Sequence, residues 1–156
     1  MASFQGMSVN TAGVYKLNFT TDLDLPGETQ CLSTPFSVEI GKPSKLIVLH
    51  EPNESTVYGG KAFDIQSHLI IVDDGDNVVK TDSTSNVVIS LYSNPSNASL
   101  SPLDKSVAIA SEGMVQFMHL SIDKAGVGYR MSYELFLTDD NDRIIETNIT
   151  TLGKTS

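Results

Sequence analysis

Apolar and polar positions alternate with period two along much of the chain. Tyr15-Lys16-Leu17-Asn18-Phe19-Thr20 alternates without a break, as does Tyr129-Arg130-Met131-Ser132-Tyr133-Glu134-Leu135. Ile145-Glu146-Thr147-Asn148-Ile149 follows the same rule more loosely. Successive side chains of a strand point to opposite faces, so these segments predict strands with one face in a core and one in water. Denser β-branched runs at Lys45–Leu49, His68–Val72 and Val87–Tyr92 predict central strands, or strands covered on both faces. Turn residues separate the runs. Asp73-Asp74-Gly75-Asp76-Asn77 reads as a hairpin turn, and Asp139-Asp140-Asn141-Asp142 does the same before Ile144. Pro52, Pro95 and Pro102 fall in polar stretches, as breakers should. No stretch of a dozen residues carries a capped 3.6 period. The expected fold class is all-β, a sandwich of many short strands.

An internal repeat adds organisation. Residues 4–19 align with residues 117–133 through Phe4 and Phe117, Ser8 and Ser121, Ala12-Gly13-Val14 and Ala125-Gly126-Val127, and Tyr15 and Tyr129. The offset is 113, becoming 114 after the extra Gly128. Phe36-Ser37-Val38-Glu39-Ile40-Gly41 matches Thr147–Gly153 only weakly. One unit is therefore about 112 residues, a usual size for a sandwich domain. The expected organisation is the C-terminal strands of a preceding unit at 3–41 and a complete unit at 42–153. The repeat sets the period and leaves the phase open. The repeated Ala-Gly pair suits a tight turn. The aromatic after it resembles the corner tyrosines of Greek-key sandwiches. Tyr, Leu or Met, and Phe or Tyr then face the core.

The second copy, Phe117-Met118-His119-Leu120-Ser121-Ile122-Asp123-Lys124-Ala125-Gly126-Val127-Gly128-Tyr129, resembles the F-x-x-L-S-I-D-K-A-G-x-G-Y hallmark of a large family of tandem immunoglobulin-like repeats found in giant surface and adhesion proteins. Gly41-Lys42-Pro43-Ser44-Lys45-Leu46 resembles the joint at which one repeat closes and the next opens. Gly59-Gly60-Lys61-Ala62-Phe63 and Val72-Asp73-Asp74-Gly75-Asp76-Asn77-Val78-Val79 resemble two further motifs of the same repeat. Two positions depart from the pattern. Asp76 stands where the family has Gly, and His68 where a proline is usual. The resemblance covers nearly all of 3–153. It implies an immunoglobulin-like Greek-key β-sandwich, one full repeat plus the last strands of a preceding one. It says little about function, since such sandwiches serve many roles.

Composition narrows the function classes. Ten Lys and Arg stand against 19 Asp and Glu among 156 residues, a net charge of −9. That balance argues against nucleic acid and against docking on an anionic membrane surface, both of which need clustered cations. The longest apolar runs, such as Leu69–Val72, are far short of a spanning helix, and no basic segment followed by an apolar one opens the chain. Cys31, the single cysteine, excludes an internal disulfide framework and is expected to be a small buried hydrophobe.

Candidate chemistry is sparse. His50, His68 and His119 show no metal-ligand spacing, and neither a nucleophile elbow nor a phosphate-cradling loop is present. A non-catalytic protein is expected. Calcium is the one cofactor to weigh, because hard cations take several oxygens from one or two loops. Asp73, Asp74, Asp76 and Asn77 form one oxygen-rich cluster; Asp139, Asp140, Asn141 and Asp142 form another. Plain turns are the favoured explanation of both clusters, because Asp and Asn are common turn residues with no metal at all. Asn18, Asn53, Asn97 and Asn148 begin Asn-x-Ser/Thr sequons, candidate glycosylation sites if the chain enters a secretory compartment.

Two functions compete. The first is an extracellular or cell-surface module for adhesion, recognition or spacing in a larger multidomain protein, binding a protein partner or neighbouring repeats. The second is a cytoplasmic, filamin-like scaffold that recruits partners by strand addition at a sheet edge. Because an isolated hairpin is marginal in water, 3–41 is expected to pack on the full unit or to exchange strands with a second copy as a homodimer.

Overall fold

A computed structural model describes residues 3–22, 27, 30–52, 58–138 and 144–152, with Thr138 and residues 144–152 described through the backbone alone. Every regular element among them is a strand except one 3-10 turn, Leu103–Lys105, which follows Pro102. No helix of the described residues is long and apolar enough to cross a membrane. The expected all-β character is therefore present, as several open sheets with none closed.

The first four strands form one irregular antiparallel ribbon. β1 (Gly13–Tyr15) pairs with β4 (Phe36–Val38), and β2 (Asn18–Thr20) pairs with β3 (Gln30–Leu32). The register slips between the two ladders, where Ser33 bridges the gap: its amide donates to the Leu17 carbonyl at 2.8 Å, and its hydroxyl accepts from the Leu17 amide at 2.9 Å. The unbroken alternation of the sequence thus spans a local break in pairing. Tyr15, Leu17 and Phe19 are half-buried while Lys16, Asn18 and Thr20 are exposed, so the alternation itself survives.

Two larger sheets follow. β5 (Lys45–His50), β6 (His68–Val72) and β10 (Met114–Gln116) form an antiparallel sheet in the order β10-β6-β5. β7 (Asn86–Ser93), β9 (Val107–Ile109), β12 (Arg130–Thr138) and β13 (Ile144–Leu152) form a second in the order β13-β12-β7-β9. A small pair, β8 (Leu100–Ser101) with β11 (Ser121–Ile122), completes the set. The runs at 68–72 and 87–92 are central strands, as expected. The run at 45–49 is not: β5 lies at the edge of its hydrogen-bonded sheet and runs beside β13. Its apolar density reflects burial of Leu46 and packing of Val48 on one face, while Leu49 on the other is exposed.

The inward faces of the two sheets share one core. Leu69, Ile71 and Val115 from the first meet Val87, Ile89, Tyr133 and Leu135 from the second, with Phe117 and Leu120 between. Burying such side chains stabilises by roughly 1.5–3 kcal/mol each relative to exposure. A side-chain pair bonds inside this core: the hydroxyls of Ser67 and Tyr133 are 2.8 Å apart and buried. Burial is the main cause that pushes the Tyr133 phenol up to about 12, opposed by the Ser67 hydrogen bond.

Among the described residues the β1–β4 ribbon has no such cover. Phe4 is 60% exposed, whereas its aligned partner Phe117 is 1% exposed. Val14, Leu32 and Phe36 are exposed as well. Cys31 is exposed too, contrary to the expectation of a buried thiol. The reason is local: Cys31 lies opposite Phe19 in the ribbon, and no second sheet packs on that ribbon among the described residues.

Candidate functional site

The turn after β6 does more than reverse the chain. Asp73 is 4% exposed. Its Oδ1 accepts the amides of Gly75 and Asn77, both at 2.9 Å. Its Oδ2 accepts the amide of Gly41 at 2.7 Å, 32 residues upstream. The Asn77 side-chain nitrogen reaches both carboxylate oxygens, at 3.0 and 3.1 Å. This donor set holds the Asp73 carboxyl down at about 2, with the Gly41 amide the largest cause and desolvation opposing it.

Asn77 faces the other way as well. Its Nδ2 donates to the Asn10 carbonyl at 2.7 Å, and its Oδ1 accepts the Ala12 amide at 2.9 Å. One side-chain amide therefore reads the carbonyl and the amide of two alternate residues in the preceding ribbon. Gly75 sits against the same Asn10 carbonyl so closely that a Cβ would overlap it. Lys45 braces the loop from outside, donating to the Asp74 carbonyl at 3.0 Å and to Asp76 Oδ1 at 2.9 Å. Asp76 has φ of 63°, a conformation that favours glycine and that aspartate is among the few other residues to tolerate.

The loop and the ribbon line an open cleft of about 560 Å³, with Val9, Val38, Lys42 and Pro43 on its walls. Among the described residues, the hydrogen bonds of Asp73 and Asn77 form a polar latch between the 3–41 segment and the larger body.

The same residue pairs recur in the two aligned segments. Tyr15 Oη donates to the Thr11 carbonyl at 2.9 Å, and Tyr129 Oη donates to the Lys124 carbonyl at 3.0 Å. Gly13 lies under the Tyr15 ring and Gly126 under the Tyr129 ring: a Cβ would come within 3.3 Å and 2.9 Å of ring atoms. Phe4 pairs with Phe19 at 5.5 Å and 44°, and Phe117 with Tyr133 at 6.2 Å and 47°.

Of the calcium candidates, Asp73, Asp74, Asp76 and Asn77 come together in the latch, where Asp73 accepts N–H donors and Asp76 accepts Lys45. Asp139, Asp140 and Asp142 lie outside the described residues. No group of three or more His, Cys, Asp or Glu fit to hold a metal is found among the described residues. Of the sequon asparagines, Asn18 is exposed on β2 and Asn97 is exposed in a turn at φ of 48°. Asn148 lies at a register shift of β13, and Asn53 falls outside the described residues.

Two relationships had no signal in linear spacing. His50 and His68 have no metal-ligand spacing in the sequence, yet the β5–β6 register sets them opposite each other, with rings stacked 6.1 Å apart. The Asn77 contact with Asn10 joins residues 67 apart. The motif that holds Asn77 was visible; its partner was not. Compared with family models, with curated proteins and with solved structures, the chain matches none.

Proposed function

We propose that the chain is a non-catalytic, immunoglobulin-like Greek-key module of a tandem array, acting in adhesion, recognition or spacing at a cell surface. The observation that carries this reading is the pair of tyrosine corners. Tyr15 and Tyr129 each bond a carbonyl that aligns with the other's, over glycines that also align. On this reading 3–41 closes one repeat, 42–153 forms the next, and the latch sets the angle between them. The exposed apolar side of the β1–β4 ribbon supports it, because a complete repeat would bring a second sheet over Phe4 and Cys31. A net charge of −9 keeps a long stalk soluble and self-repelling.

Mass spectrometry of the protein from its native source tests the compartment. Glycans at Asn18 or Asn97 support the surface module. Four unmodified sequons on protein recovered from the cytoplasm would overturn it.

One feature favours the scaffold reading as an alternative. β9 is a three-residue edge strand whose Val107 and Ile109 are 48% and 65% exposed. An extended peptide added there would gain main-chain hydrogen bonds and two apolar contacts.

A further inference from the structure

The latch shows what an Asn77-type amide recognises: the C=O of one residue and the N–H of the residue two positions on, presented by a turn that a corner tyrosine holds rigid. The aligned turn of the larger body is built in the same way. Asp123 aligns with Asn10, Lys124 with Thr11 and Ala125 with Ala12. Tyr129 anchors the Lys124 carbonyl as Tyr15 anchors that of Thr11.

Further bonds hold this turn in place. The Asp123 carboxylate accepts the Ser99 amide at 2.6 Å, the Ser96 hydroxyl donates to the Ala125 carbonyl at 3.0 Å, and Lys124 Nζ donates to the Asn97 carbonyl at 2.7 Å. The Asp123 carbonyl and the Ala125 amide make no hydrogen bond among the described residues, and both residues are exposed. Gly59 rests against this backbone, where a Cβ would lie 3.1 Å from the Asp123 carbonyl oxygen and 3.3 Å from the Ala125 nitrogen; with no side chain at Gly59, the space beside the pair is not filled by a Cβ.

We propose that the Asp123–Ala125 turn is a docking site for the Asp-x-Gly-x-Asn loop of a following sandwich unit, whose asparagine amide takes the Asp123 carbonyl and the Ala125 amide as Asn77 takes those of Asn10 and Ala12. The inference rests on the tandem-array reading and adds the residues that join one unit to the next. It makes the joint a backbone-reading contact. Neighbours then need only a tyrosine-cornered turn on one side and an Asp-x-Gly-x-Asn loop on the other. A single side-chain amide can satisfy that donor and that acceptor at once.

The test is a tandem chain in which residues 1–153 are followed directly by a second copy of 42–156. Amide hydrogen exchange is read at Ala12 and at Ala125 of the first copy, with the core amides of Ile89 and Leu135 reporting that both copies fold. Ala125 is expected to exchange at least tenfold more slowly in the tandem chain than in the single one. Asn77→Ala in the second copy alone should return it to the single-chain rate and leave Ala12 protected. An unchanged Ala125 beside a protected Ala12, or protection that survives the substitution, overturns the proposal and leaves the array reading standing. An unprotected Ala12 in the single chain would instead sink the latch on which both depend.

A second measurement needs no added copy. Asn10→Asp with Thr11→Lys writes the downstream turn into the upstream place. Ala12 should stay protected if Asn77 reads backbone there; loss of its protection overturns the proposal even if the tandem chain does not fold.

Discussion

The side-chain nitrogen of Asn77 lies 2.7 Å from the carbonyl oxygen of Asn10, across 67 positions of sequence. That contact ties a ribbon with little buried apolar surface to a body with a full core. Its strength comes from few groups, so single substitutions should release it. Asn77→Ala removes the bonds to Asn10, Ala12 and Asp73 together, at a cost of about 1–3 kcal/mol. Gly75→Ala should open the same contact sterically. Amide exchange checks both: Ala12 should lose protection while Ile89 and Leu135 keep most of theirs.

The latch should also weaken in acid. The Asp73 carboxyl falls from 3.8 to about 2 in the folded chain, chiefly through the Gly41 amide. A depressed carboxyl stabilises fully above its unfolded value, and that contribution disappears as pH falls through the folded one. The latch should therefore hold at pH 5 and loosen between about pH 4 and pH 2. The Gly41 amide chemical shift, followed against pH, should titrate with a midpoint near 2. Asp73→Asn should abolish that transition; a midpoint near 4 would show that the carboxyl is not gripped.

Inside the core, Tyr133→Phe leaves the Ser67 hydroxyl buried without its partner. The expected loss is about 1–2 kcal/mol, a fall in Tm of about 2–8 °C for a chain of this size. Ser67→Ala added to it should cost little more, since no orphaned hydroxyl then remains. Fully additive losses would contradict the pairing.

Tyr129→Phe removes the bond to the Lys124 carbonyl, and Gly126→Ala drives a Cβ to 2.5 Å from Ser96 Oγ and 2.9 Å from the Tyr129 ring. Each should destabilise the larger body by about 1–3 kcal/mol in urea melts. Tyr15→Phe should leave the midpoint of that body nearly unchanged, because its turn belongs to the ribbon.

Calcium should leave Tm unchanged to within 1 °C or so on the ground that the Asp73 oxygens already accept N–H groups and Asp76 accepts Lys45. A larger rise that chelator reverses would show that a cation displaces these donors, or that the residues at 139–142 hold one.

Much of the fold was legible residue by residue. The alternation at 15–20 and 129–135 marked strands and also which faces turn inward. The aligned Gly and Tyr positions marked two turns of one construction. Other features were not legible. Cys31 has the ordinary chemistry of a core residue, yet its exposure depends on whether a second sheet lies over the ribbon. The Lys45–Leu49 run has central-strand composition, yet edge position depends on which strands arrive beside it. His50 and His68 meet only because the β5–β6 register puts them opposite.

Strand content, inward faces and the recurrence of a tyrosine-cornered turn follow from the order of residues, because each rests on local geometry: a period of two, a glycine under a ring, a hydroxyl reaching four or five residues back. Only the folded chain decides what the Asp73–Asn77 loop holds. Locally the loop is a good turn and nothing more. Its role arises because two sheets packed on one core carry the end of β6 to the ribbon, where the backbone of Asn10 and Ala12 offers one acceptor and one donor to a single amide. Contacts of that span depend on register and on the packing of distant strands, and no short stretch of sequence contains either.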